Sequence, residues 1–224
     1  MGGLIPLGDA SRRLRRWPLV TVLLIAANVW VFFLELTYGD QFVYMYSVIP
    51  ARIMAGRGWG TILTAMFLHA SWLHIIGNMV FFWAFGPEME DAMGRFRFLS
   101  FYLIGGVVAM TAQVLAAPGS RVPNLGASGA IAAVMGAFLV TYPRDRIKTA
   151  LFFLFFVRIT YIPAVLLIGV WFLLQLFSAG QVAGHVQTGG VAYMAHVGGF
   201  VFGVVTGRLW IRKGALGSQW QRFN

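Results

Sequence analysis

The chain has 224 residues, of which 59% are hydrophobic and only 11% charged, less than half the charged share of an average soluble domain (about 25%). That balance excludes an ordinary soluble enzyme and implies a polytopic membrane protein of one domain. The absence of cysteine excludes disulfides and Cys-ligated metals, and the net charge of +10 raises two readings, nucleic acid or basic cytoplasmic loops.

Residues 1–16 are Gly-rich and then basic, ending in Arg12-Arg13-Leu14-Arg15-Arg16, and read as a cytoplasmic tail. The first span is Trp17 to Leu36, about the 20 residues a hydrocarbon core requires. It is too long for a signal h-region and shows no small-residue cleavage site. Residues 37–68 mix Tyr, Gly, Pro and Trp with apolar residues. They read as a loop in the outer interface with short amphipathic helices. Span two is Ala70–Phe85, followed by a charged turn with Glu88, Glu90, Asp91, Arg95 and Arg97. Span three is Phe98–Ala117 and span four Gly126–Tyr142. Residues 149–157 are apolar but closed by Arg158, which places them at the cytoplasmic interface. Span five is Tyr161–Phe177, 178–189 a polar loop containing His185, span six Gly190–Ile211, and 212–224 a basic tail.

Six spans put both termini on one side. Of the 17 basic residues only Arg52, Arg57 and Arg121 then fall on the other side. The excess of cytoplasmic Lys and Arg therefore supports six spans with both ends inside, and it explains the charge without a nucleic-acid partner. The expected fold is an all-α polytopic membrane protein, a six-helix bundle over 17–211.

Polar residues within spans are costly and mark function. Ser128 sits between Gly126 and Gly129 at the start of span four, where it fits two readings: a small residue for close helix packing, or a nucleophile at a helix start. Spans two, four and six all run inward. His74, Ser128 and His196 lie about four, two and six residues into them, so at about 1.5 Å per residue they share a layer within ~6 Å. His74 and Asn78, four apart, share a helix face, with Gly77 beside them for close packing. Gly199 and Gly203, also four apart, form a surface that presses span six against span four and brings His196 to Ser128. A histidine in reach activates an otherwise inert serine. Each histidine also has a structural reading: His196 as a packing residue, His74 and Asn78 as interhelical glue, His69 as an interfacial or loop residue, His185 as solvated. Glu90 and Arg95 read as surface or structural ion pairs. Span four, at about 17 residues and ~25 Å, is short, so its start lies in a cavity that admits water.

Other chemistries find no residues. There is no His-Glu-x-x-His, and so no metal site of that type. Asp9, Asp40, Asp91 and Asp145 all lie outside the spans, Glu35 is near a span end, and no phosphate loop is present.

The three motifs, His74-x-x-x-Asn78, Gly126-x-Ser128-Gly129 and Ala195-His196-x-x-Gly199-x-x-x-Gly203, in this order and in six spans, resemble those of rhomboid intramembrane serine proteases of the compact bacterial type. The resemblance implies Ser128 as nucleophile and His196 as general base. It further implies an oxyanion hole of Ser128 N–H, His74 and Asn78, Gly199 as the small residue that admits the dyad contact, and Glu90 as the acid that orders the first loop and its surroundings. It implies no cofactor, single-span membrane-protein substrates cut near the outer face, and residence in the plasma (inner) membrane. Two features of some members differ here: Gly60 and Thr61 stand where a Trp-Arg pair would, and Ala132 where an aromatic would support the base. A catalytically inactive relative that binds client transmembrane helices is the alternative function. A transporter or channel has no mid-span charge to support it. Oligomeric state is left open by the sequence.

Overall fold

The computed structural model describes residues 3–153, 156–182, 192–213 and 215. It opens on a strand, β1 (Gly3–Asp9), before the helix α1 (Leu19–Tyr46). Gly39 breaks α1 with φ 70° and ψ −160°, a conformation that suits a residue without Cβ. Across the break Tyr38, Phe42 and Tyr46 pack ring on ring at 5.8 and 4.7 Å. The linker carries the short helices expected of it: α2 (Pro50–Met54), α3 (Thr61–Thr64) and a 3-10 turn, Ala65–Phe67.

Four further elements are long helices: α4 (Trp72–Met93), α5 (Arg95–Ala116), and, after α6 (Ser128–Thr141) and a hairpin, α7 (Ala164–Val182) and α8 (Tyr193–Trp210). The Ser71 hydroxyl caps α4 by accepting the His74 N–H at 3.2 Å. Gly94, at φ 81°, ends it. α4 thus runs past Phe85 through the stretch expected to be a charged turn, and Glu88 and Glu90 are buried within it. Glu90 is not a surface ion pair. Its carboxylate accepts the Val20 and Thr21 N–H groups at 2.9 and 2.8 Å and the Thr21 hydroxyl at 2.8 Å. It thereby caps the first turn of α1, where a helix leaves N–H groups unpaired and attracts negative charge. Arg95 stands 4.0 Å away.

α6 is the axis of the bundle. Every residue from Gly129 to Phe138 is buried, as a helix apolar all round must be. Its 14 residues span only ~21 Å. Beyond its N-terminus the chain from 117 to 127 is tied to the linker. Val48 and Asn124 exchange backbone hydrogen bonds at 2.9 and 2.7 Å, and the Gly126 N–H donates to the Ala65 carbonyl at 2.8 Å.

By length and apolarity α1 and α5 are long enough to cross a bilayer, and the pair Thr61–Phe67 and Trp72–Met93, bent by 91°, makes a third crossing if taken together. Ser128–Thr141 and Ala164–Phe177 are shorter apolar helices.

The chain is mostly helical but not all-α. β2 (Arg146–Phe153) and β3 (Phe156–Pro163) pair antiparallel, and β1 pairs antiparallel with β2 from Gly3↔Phe152 to Asp9↔Ile147, giving the order β1-β2-β3. The apolar stretch 149–157 is therefore strand at its described residues, 149–153 and 156–157, and the residues that lead into it show the pattern: Ile147 and Thr149 are buried while Arg146 and Lys148 are exposed, the period of a half-buried strand. The register shifts between Pro6 and Gly8, where proline has no N–H to give the ladder. α7 begins at Ala164 rather than Tyr161, because a residue before proline disfavours the helical region and Pro163 closes β3. The sheet is fastened at one end. Ala10 donates to the Arg146 carbonyl and Ala164 to the Asp145 carbonyl, at 2.9 and 2.8 Å. Arg12 pairs with Asp145 and lies 3.7 Å over the Tyr142 ring. Asp9 is enclosed there, its side chain without exposed surface. Burial, with the Asp145 carboxylate adding to it, pushes its acid up to about 7 against the pull of the Ser11 N–H and Arg12. Along its length β1 lies against α4, where Ile5 and Leu7 with Val29, Phe33, Ile76 and Trp83 line an apolar groove of about 590 Å³.

Candidate active site

The site is set by how closely α6 and α8 meet. A Cβ on Gly199 would overlap the Gly129 carbonyl oxygen, one on Gly203 the Ala133 carbonyl oxygen, and one on Gly207 the Ala137 backbone. Only hydrogen at these three positions lets the two backbones touch. The contact anticipated from Gly199 and Gly203 is present, and Gly207 extends it by one further turn.

At the upper end of this seam the His196 Nε2 lies 2.6 Å from the Ser128 Oγ. Ser128 is the first residue of α6 and no side chain caps that helix, so its N–H belongs to the donors a helix start leaves unpaired. The serine is half-buried and His196 is buried. The apolar groove beside β1 is lined by neither residue.

His74 and Asn78 come to the same place from α4. The His74 Nδ1 accepts the Ala70 N–H at 3.3 Å, which puts its proton on Nε2. That nitrogen faces Gly126: a Cβ there would stand 3.0 Å from His74 Nε2 and 3.6 Å from Ser128 Oγ. Gly126 also sits at φ 123°, a region unfavourable to residues with a side chain. Asn78 is 8% exposed, and its Nδ2 has no hydrogen-bond partner among the described residues. Buried amide donors are rarely left so. Gly77, by contrast, faces open space, so it does not serve the packing expected of it.

Residues that sequence reasoning passed over complete the surroundings. Gln175 of α7 places its Oε1 2.6 Å from the other nitrogen of His196, Nδ1. Trp171, one turn earlier, has its ring 5.9 Å from the imidazole, and Tyr193 stands edge-on at 6.4 Å. The aromatic wall missing at Ala132 is thus supplied from α7 and α8. His69 lies in the non-helical stretch ahead of α4, as a loop residue, but it is buried rather than interfacial: it is 2% exposed, with its ring 5.1 Å from that of His74. Its N–H donates to both oxygens of the buried Glu35 carboxylate at 3.0 and 3.1 Å. Glu35 thereby pins the turn that leads into α4 and His74. His185 lies outside the described residues.

Chemically the arrangement offers an acceptor nitrogen on a hydroxyl, with a buried amide donor, an imidazole N–H and a helix-start N–H beside it. Those are the parts of acyl transfer through a serine.

Residues 56–213 match the family model of the rhomboid domain. The chain is 30% identical over 205 residues to Rhomboid protein 1, mitochondrial, of Saccharomyces cerevisiae, covering 89% of this chain and 55% of that one. It is 31% identical over 133 residues to Rhomboid protease GluP of Bacillus subtilis, covering 58% and 26%. Its identity to the human Presenilin-associated rhomboid-like protein, mitochondrial, is 30% over 186 residues, covering 81% and 45%. The matched part spans from about a quarter to just over half of these relatives' length.

Proposed function

This chain belongs to the rhomboid family, and we propose that it is an intramembrane serine endopeptidase that cleaves transmembrane segments of single-span membrane proteins near the outer face. The observation that carries the reading is the 2.6 Å approach of His196 Nε2 to Ser128 Oγ. In acylation the Ser128 oxygen bonds to the scissile carbonyl carbon while its proton passes to Nε2. The carbonyl oxygen, now anionic, is met by the Ser128 N–H, the His74 Nε2–H and the Asn78 Nδ2. The imidazolium gives its proton to the departing amine. Water then attacks the ester, His196 takes the water's proton, and Ser128 recovers it. A substrate carbonyl within a helix is hydrogen-bonded and shielded, so the substrate unwinds locally before attack.

The setting proposed with this chemistry is six spans over 17–211 in the plasma membrane with both termini cytoplasmic, residues 3–9 of the segment ahead of the first span being drawn onto α4 as β1. The placement of Lys and Arg supports that orientation, while two of the relatives carry mitochondrial names. A single-span test substrate decides the function. Wild type cleaves it and is labelled by a fluorophosphonate; Ser128→Ala and His196→Ala lose at least about 10³-fold in rate, and Ser128→Ala loses the label. Equal cleavage by all three proteins rejects the assignment of Ser128 and His196; no cleavage and no label in any of them leaves client binding as the function.

A further inference from the structure

We propose that Gln175 is the positioning residue of the dyad: its side-chain oxygen holds the Nδ1 proton of His196 and so keeps Nε2 bare for the serine. The inference rests on the dyad reading and concerns what fixes the base. A neutral imidazole carries one proton and has two places to put it. Only the form protonated on Nδ1 can take the Ser128 proton through Nε2. In the structure both nitrogens are engaged, Nε2 with Ser128 Oγ and Nδ1 with Gln175 Oε1, each at 2.6 Å. An amide oxygen accepts and never donates, so the Gln175 contact selects the productive form. Among the described residues no carboxylate hydrogen-bonds to His196; the amide occupies the place that an acid takes in a charged triad.

Gln175 does this from a third helix. Trp171 and Gln175, four apart on α7, share a face and meet the ring together, one by contact at 5.9 Å and one by hydrogen bond. Nucleophile and base ride on α6 and α8, whose backbones touch, while the group that orients the base comes from α7. Through the whole cycle the Nδ1 proton stays between imidazole and amide; only the Nε2 proton moves. The base is competent when α7 is seated against α8 and loses its orientation when α7 moves by more than the reach of a hydrogen bond.

The test compares the purified full chain with Gln175→Met, which keeps the length but has no strong acceptor, and Gln175→Glu, which keeps the acceptor. Fluorophosphonate labelling and substrate cleavage are read alongside Tm. The expected result is a fall of about 100-fold in labelling rate and kcat for Gln175→Met, with KM and Tm unchanged, and recovery to within about tenfold of wild type for Gln175→Glu. Wild-type labelling by Gln175→Met overturns the proposal. So does an equal loss in both variants, or a loss that follows Tm, either of which assigns Gln175 to packing. Labelling that persists in Ser128→Ala would instead reject the dyad itself, a separate failure.

Discussion

The two flanks of α6 are held in opposite ways. Against α8 the contact is backbone on backbone at Gly199, Gly203 and Gly207, with one charged group at its inner end, where the Arg208 guanidinium donates to the Val140 carbonyl at 2.8 Å. On the other flank the sheet and the start of α7 are joined by Asp9, Arg12 and Asp145, and α7 leaves Leu173, Leu174 and Phe177 more than half exposed. The proposed nucleophile and base therefore sit where two backbones meet, while Gln175 comes from the helix that leaves an apolar face exposed.

Three changes probe this contrast. Gly203→Leu should be the most severe, since a side chain there meets the Ala133 carbonyl and a backbone cannot yield as a side chain can. A loss of more than about 3 kcal/mol in stability is expected, above the usual range for overpacking, with cleavage lost as well. Near-normal denaturation of that variant would show the flank to be looser than drawn. Gly126→Ala acts at the boundary between fold and chemistry. Its Cβ would press on His74 at an unfavourable φ of 123°, costing about 1–3 kcal/mol and lowering kcat about tenfold with little change in KM; an unaltered kcat would remove His74 from the oxyanion hole. The smallest effect belongs to the charged flank. Asp9 has an acid raised from 3.8 to about 7, so the native state binds a proton that the unfolded chain gives up. Stability is then lost as pH rises from about 4 through about 7. Asp9→Asn, which can still accept the Ser11 N–H, should raise Tm at pH 8 and leave it unchanged at pH 4. A shift of equal size at both pH values would mean that ionisation of Asp9 plays no part.

That His74, Asn78, Ser128 and His196 meet was legible because each lies in a short local pattern: His74 and Asn78 one turn apart, Ser128 between glycines, His196 ahead of Gly199 and Gly203. Gln175 was not, since a glutamine in an apolar helix 21 residues from its partner has no spacing to betray it. Nor was Trp171, one aromatic in a chain that is 16% aromatic. The hairpin is not legible because short apolar strands and buried helix segments look alike in hydropathy, and Arg158 reads equally well as an interfacial stop. Glu90 and His69 are more deeply buried than their sequence context suggests, for one reason. A charge or imidazole near a helix end is usually at the surface, and only the approach of α1 reveals that Glu90 is needed to cap Val20 and Thr21 and that Glu35 is there to hold the His69 backbone.

The strand supplied by Gly3–Asp9 finds its partner only at Arg146–Phe153. During synthesis, then, Gly3–Asp9 must wait unpaired until residues 146–153 have been made, and the sheet closes late. A bulky fusion placed just ahead of residue 3 would compete with that closure without touching the dyad, and would show itself as slow maturation of a correctly inserted chain.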